Sequence, residues 1–375
     1  LVVRATERAT ERATERASAA LDTHAARVIE RQLRRAAPTR APADARTRLL
    51  ELVGFYGDPS VDRRFVAEPE LADVSERAVG RGPHGARVFD LSFASPYRPL
   101  HPSYVDEFLR HRENLTAHAR LWTKGAGRPV LIVLHGWAGG HHWVTERSFA
   151  VEYFVRSGFD VVSFVLPYHG VRAPNLGRMA NSGALFPGPN LIRTNEGFAQ
   201  AICDLRALAA ALRRRGAGDI AVMGMSLGGY TAALWASLDP RLAAAVPMIP
   251  AVSMADLFWR HGAESPTRRH ASRAGVDRDL IDQVFRIHSP LARPAQLPVE
   301  HLLVVAGRGD RITPPDQAEA LAAHWRGCEL HWFAGGHLAQ VGRGDALRAA
   351  RRVLSRGCRG SLISGDEVDR AEAQP

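Results

Sequence analysis

Short, largely apolar runs set at regular intervals constrain this sequence most. They occur at 130–134, 161–166, 220–223, 242–249, 301–306 and 329–333, bounded by glycine, proline or charged residues. Between most of them lie stretches with apolar residues at helical spacing, at 145–157, 196–215, 227–238, 314–325 and 344–355. Runs this short that do not alternate with polar residues fit strands buried on both faces. Such strands alternating with helices build βαβ units. The expected fold class is therefore α/β: a mainly parallel central sheet with helices on both faces.

The flanks read differently. Residues 5–16 repeat Ala-Thr-Glu-Arg three times, so 1–20 is expected to be a low-complexity, unpacked tail. Residues 21–116 are expected to be a helical extension that partly covers the main domain. Within it a helix ends near Gly54 and Gly57, a strand spans 87–93 and a short helix 104–112. A further strand, at 117–123, opens the main domain, 117–357, and a flexible tail is expected at 358–375. The apolar face at 44–56 (Leu49, Leu50, Leu52, Val53) is a candidate for membrane-surface contact, with packing on the domain as the default.

Composition removes several function classes. With 46% hydrophobic and 23% charged residues, the chain is not a disordered or fibrous one. The net charge of +10 comes almost wholly from arginine, Lys124 being the one lysine. It is spread along the chain with no basic, aromatic-interleaved stripe, so nucleic acid is not an expected partner. Cys203, Cys328 and Cys358 are too scattered for a disulfide framework or a thiolate metal site. There is no apolar run of about 18 residues and no signal-like apolar region, so a cytoplasmic location without a membrane span is expected.

The chemistry concentrates at three strand ends. Gly224-Met225-Ser226-Leu227-Gly228 is a weak pattern alone, but here it follows a buried strand and opens a helix, as a nucleophile elbow requires. The helix N-terminus offers unpaired N–H groups to a developing oxyanion. Leu134-His135-Gly136-Trp137 ends an earlier strand, and the loop after it is placed to supply the second donor. The expected oxyanion donors are the backbone N–H groups of Trp137 and Leu227, with His135, Gly136 and Met225 as substrate-contacting neighbours. His135, His141 and His142 stand on a glycine-rich turn without a local carboxylate, so no metal is expected. Downstream, Asp310 follows the strand at 301–306 in Gly307-Arg308-Gly309-Asp310, and His337 follows the strand at 329–333 in Gly335-Gly336-His337. The order serine, acid, histidine gives a triad of Ser226, Asp310 and His337, with Asp256 as the reserve acid; the alternative for Asp310 is a helix or turn cap, for which Thr313-Pro314 is an equally good site.

With these residues in view, 117–357 resembles an α/β-hydrolase. The resemblance implies Ser226 as nucleophile, His337 as general acid–base and Asp310 as its orienting carboxylate. Leu134-His135-Gly136, His141-His142-Trp143, Pro167-Tyr168-His169-Gly170 and Pro247-Met248-Ile249-Pro250 further resemble the abhydrolase domain-containing 18 group. No substrate follows from that resemblance.

The expected activity is a serine hydrolase cleaving a carboxylic ester or thioester, without cofactor. The alternatives are a serine peptidase of the same fold and a non-catalytic binding protein. Two insertions, 167–193 and 251–298, are lid candidates. The first holds Met179, Leu185, Phe186 and Pro187, the second Leu257, Phe258 and Trp259; an apolar lid suits a small-molecule ester with a lipid-like or aromatic acyl group, the alternative being that Phe258 and Trp259 pack on the sheet. Arg268, Arg269 and Arg273 are either an attraction for an anionic substrate or a solvated face.

Overall fold

The computed structural model describes residues 2–36, 44–175, 182–263 and 266–358. Met179 and all but the first residue of the expected C-terminal tail lie outside the described residues. Nine strands form one sheet: β1 (Ser75–Arg81), β2 (Arg87–Ala94), β3 (Thr116–Thr123), β4 (Val130–Leu134), β5 (Asp160–Phe164), β6 (Ile220–Met225), β7 (Ala245–Met248), β8 (Leu303–Gly307) and β9 (Glu329–Phe333). Their order is β1-β2-β3-β5-β4-β6-β7-β8-β9. The pairs from β5 to β9 are parallel, and β1, β2 and β3 extend the sheet antiparallel.

Strands β4 to β8 are buried along their whole length. That is why they read as unbroken apolar runs: each strand presents side chains to both faces, and both faces are covered. One face packs under helices Leu191–Arg214 and Leu227–Ala236, the other under Val151–Arg156 and Arg343–Gly357. The single helix expected at 145–157 is two, His142–Ser148 and Val151–Arg156, separated where Ala150 takes φ 48°.

Two expectations are corrected. The first concerns 21–116, expected as a helical extension with one strand at 87–93: that strand is β2, and it and the unexpected β1 belong to the central sheet, so the sheet begins at Ser75 and not at 117. Every residue of β1 is exposed, so it carries no alternation to betray it, and its charged edge and irregular register at Ala78/Gly80 are devices that protect an edge from further pairing. The second concerns 1–20, which is not an unpacked tail. Residues Val2–Ala36 form one helix, and Ser18 and Asp22 on it are buried. A four-residue repeat resembles low complexity, yet Ser18, Asp22 and Ala25 fall on one helix face at spacings of four and three.

Helix Ala45–Tyr56 packs Leu49, Leu52, Val53 and Phe55 against the core, and the Tyr56 hydroxyl donates to Glu196 at 2.9 Å. Leu50, on the same helix, stays exposed. No helix of the described residues is long and apolar enough to cross a membrane. The interior also holds a fully buried ion pair, Arg172 to Asp204 at 2.8 Å, with neither side chain exposed.

Candidate active site

The C-terminal ends of β4, β6, β8 and β9 open on the same edge of the sheet, where ligands of open α/β sheets bind. Ser226 follows β6 with φ 55° and ψ −114°, and helix Leu227–Ala236 starts at the next residue. A positive φ on a non-glycine residue costs about 1–3 kcal/mol and persists where its surroundings enforce it. Here the Ser226 N–H donates to the Met248 carbonyl at 3.0 Å, and the Ser226 carbonyl accepts from Tyr230 at 2.9 Å and Ala251 at 3.2 Å. The motif's glycines are needed for close approach. A Cβ on Gly224 would lie 2.0 Å from the Gly228 carbonyl oxygen, and one on Gly228 would lie 2.0 Å from that of Leu134. Both obstacles are backbone. Gly228→Ala is therefore expected to cost about 3 kcal/mol or more, read as a large fall in melting temperature or loss of soluble protein.

The loop after β4 runs beside the serine. A Cβ on Gly136 would be 3.4 Å from Ser226 Cβ. His135 is buried, accepts the Leu166 N–H at Nε2 (3.1 Å) and donates from Nδ1 to the Gly136 carbonyl (2.8 Å). Burial lowers its pKa to about 4, so the ring is neutral at neutral pH and fixes the turn. Trp137 Nε1 donates to the Gly183 carbonyl at 2.8 Å, and Ser182 Oγ bonds the Gly139 carbonyl. The Pro167-Tyr168-His169-Gly170 stretch packs directly behind: a Cβ on Gly170 would meet the Gly140 carbonyl oxygen at 2.5 Å. The two histidine- and glycine-containing motifs thus shape one loop. Leu227 is the first residue of its helix, so its N–H has no intrahelical acceptor.

His337 follows β9, and its Nδ1 lies 2.8 Å from Asp310 Oδ2. Asp310 is 1% exposed, and its Oδ1 accepts from the Ile312 and Thr313 N–H groups at 2.9 and 2.8 Å. The Thr313 hydroxyl lies 3.0 Å from both Asp310 Oδ2 and His337 Nδ1. With Nδ1 committed to Asp310, Nε2 is the nitrogen left for chemistry. Asp256 is engaged elsewhere, with Arg260 and Gln317 at 2.8 Å each. The structure therefore brings Asp310, not the reserve acid, to His337.

Ser226, His337, His135, Gly136, Trp137 and Met225 line one cavity of about 490 Å³. Leu227 lines a second, smaller one that shares Ser226 and Trp137.

Sequence reasoning missed Asp22. From the N-terminal helix its Oδ2 accepts the N–H groups of His337 (2.6 Å) and Arg311 (3.3 Å), and its Oδ1 that of Leu338 (3.1 Å). Glycines in both downstream motifs admit this helix. A Cβ on Gly309 would lie 2.7 Å from the Glu15 carbonyl oxygen, and one on Gly336 would lie 2.5 Å from Asp22 Oδ2. The contact bridges 315 positions, and the one local signal is the small-residue face of Ser18, Asp22 and Ala25. Ala25 lines the larger cavity.

Two solved structures share this architecture. Acetyl xylan esterase 1 from Thermoanaerobacterium sp. superposes with a TM-score of 0.53 at 17% identity, covering 87% of this chain and 98% of that one. Acetyl xylan esterase from Paenibacillus sp. R4 gives 0.54 at 16% identity, covering 86% and 98%. Residues 85–267 match the family described as alpha/beta hydrolase domain containing 18. The chain has the α/β-hydrolase fold. An uncharacterized protein of Mycobacterium tuberculosis is 32% identical to it over 279 residues, 73% of this chain. The matched part spans 65% of that relative's length. The expected α/β-hydrolase fold holds, and the match to family 18 covers the loop after β4, the stretch behind it and the elbow.

Proposed function

We propose that this protein of α/β-hydrolase fold cleaves a carboxylic ester or thioester through an acyl-enzyme on Ser226. The observation that carries the reading is the strained Ser226 at the head of its helix, sharing a cavity with a histidine whose far nitrogen is held by a buried carboxylate. His337 Nε2 takes the serine proton as Oγ attacks the acyl carbon, and Asp310 stabilises the resulting imidazolium. The tetrahedral oxyanion lies between the N–H groups of Trp137 and Leu227. A single such donor contributes about 3 kcal/mol to transition-state stabilisation. Collapse releases the alcohol or thiol, and water activated by His337 then frees the acid.

The protonation of His337 sets the pH dependence. Burial is the largest influence on it and works against the charged form. The Asp310 carboxylate, as charge and as acceptor, and the nearby charge of Asp22 outweigh burial, so the pKa is raised. Only the neutral imidazole can accept the serine proton. The kcat/KM is therefore expected to fall as pH drops through a midpoint above the ordinary histidine value of about 6.5. Asp22→Asn removes one of the charges that raise the pKa while keeping a side-chain oxygen to accept from the loop. It is expected to move that acid limb to lower pH; an unmoved limb in a folded variant would separate Asp22 from His337. Activity on p-nitrophenyl or umbelliferyl esters across pH 5–9, set beside Ser226→Ala, tests the reading itself. Turnover retained by the alanine variant would refute it.

A further inference from the structure

Ser226 stands between two cavities of different size and chemistry, and only one of them is lined by His337. On the reading that Ser226 is acylated, this asymmetry fixes the direction in which an ester lies. In the first step the Oγ–acyl bond forms and the serine proton passes to His337 Nε2. That proton then goes to the departing oxygen or sulfur as its bond to the acyl carbon breaks. The departing group must therefore lie on the His337 side, in the cavity of about 490 Å³. There Thr145, Ser148 and Gln340 add polar side chains to the wall.

The acyl chain is left with the other side. That cavity is about 100 Å³ and shares Ser226, Trp137 and Leu227, so the carbonyl oxygen sits at its mouth beside both expected oxyanion donors. Beyond them its wall is made by Pro187, Met254, Leu257 and Phe258. His261, also on this wall, is turned to the Ile312 carbonyl at 2.9 Å. A cavity of about 150 Å³ holds one benzene, so this volume holds about four heavy atoms. The pocket is too small for a fatty acyl chain, and no Asp, Glu, Lys or Arg among the described residues lines it.

We infer that the substrate is a short-chain acyl ester or thioester, of about two to four acyl carbons, of a larger and more polar alcohol or thiol. Met254, Leu257 and Phe258, from the second insertion, set the acyl length. This departs from the lipid-like substrate that an apolar insertion suggests from sequence, because Met254, Leu257 and Phe258 wall a small cavity beside the serine.

The test uses the full chain and two ester series. In the first, p-nitrophenyl esters run from acetate to octanoate. The kcat/KM is expected to peak between acetate and butyrate and to fall about 100-fold or more by octanoate, since one excess methylene in a fitted pocket costs about 10–200-fold. Leu257→Ala and Phe258→Ala are expected to move the optimum to longer chains, a gain of function that a misfolded variant cannot mimic. In the second series, 2-naphthylmethyl acetate is compared with methyl 2-naphthylacetate, each rate divided by its hydroxide-catalysed rate. The bulky alcohol is expected to be accepted and the bulky acid rejected by about 100-fold. A chain-length profile that stays flat or rises to octanoate, or a preference for the bulky acid, would overturn the inference while fluorophosphonate labelling of Ser226 left the hydrolase reading standing. Failure of labelling and of every ester would remove both.

Discussion

Ser226→Ala and His337→Ala are each expected to lower kcat on an activated ester by about 10⁵–10⁶-fold, and the double variant is expected to lose little more than either alone. Residues that act as one unit are grossly non-additive, because either deletion already removes the nucleophilic route. Asp310→Asn is expected to cost less, about 10⁴-fold, since the site keeps its shape but loses the charge and tautomer control on His337 Nδ1. The order of these losses is informative. The Asp310 carboxylate is held by two backbone N–H groups as well as by His337, so the asparagine has a defined seat. An asparagine variant as active as wild type would remove Asp310 from the proposed mechanism. Stopped-flow or steady-state rates on a p-nitrophenyl ester, with folding checked by circular dichroism, read all four variants.

The second large effect is on stability. Arg172 and Asp204 are both fully buried, and the Asp204 carboxylate also accepts from the Ser95 hydroxyl at 2.6 Å. The guanidinium donates in addition to the carbonyls of Val165 and Asn114, each at 3.1 Å. The pair therefore ties the loop after β5 to helix Leu191–Arg214 and to the turn before β3. Asp204→Ala leaves a buried guanidinium without its counter-charge and is expected to destabilise by about 3–5 kcal/mol. Replacing both partners with apolar residues of similar volume is expected to cost much less than the single change. Urea denaturation of the single and double variants measures this. A double variant as unstable as the single one would show that the backbone bonds of Arg172, not its charge pairing, hold the loop.

What was legible in the sequence follows from where the side chains go. Strands β4 to β8 announce themselves because both their faces are covered, and the elbow is recognisable because β6 is one of them. Asp310 could be placed for the same reason, lying just past the buried β8, whereas β9 before His337 is only half-buried and that histidine was found from the glycines and the helix around it. Strand β1 could not, since an all-exposed edge strand such as Ser75–Arg81 has no pattern to read. Thr313 was legible as a cap residue, but its position beside both Asp310 and His337 depends on the turn between them. Asp22 was hidden further. Its helix begins in a repeat that reads as low complexity, and its partners lie more than 280 positions away. The small size of the acyl-side cavity was equally out of reach, because it is set by how Met254, Leu257 and Phe258 pack beside the serine and not by their being apolar.

The central claim is that Ser226 is an activated nucleophile, and a fluorophosphonate reports on that alone. The purified chain is treated with the probe, and the adduct is located by intact mass and peptide mapping. The account predicts a single adduct on Ser226 in the wild type, slower formation in His337→Ala, and none in Ser226→Ala. A folded wild type that takes no label, or equal labelling of the Ser226→Ala variant, would contradict it.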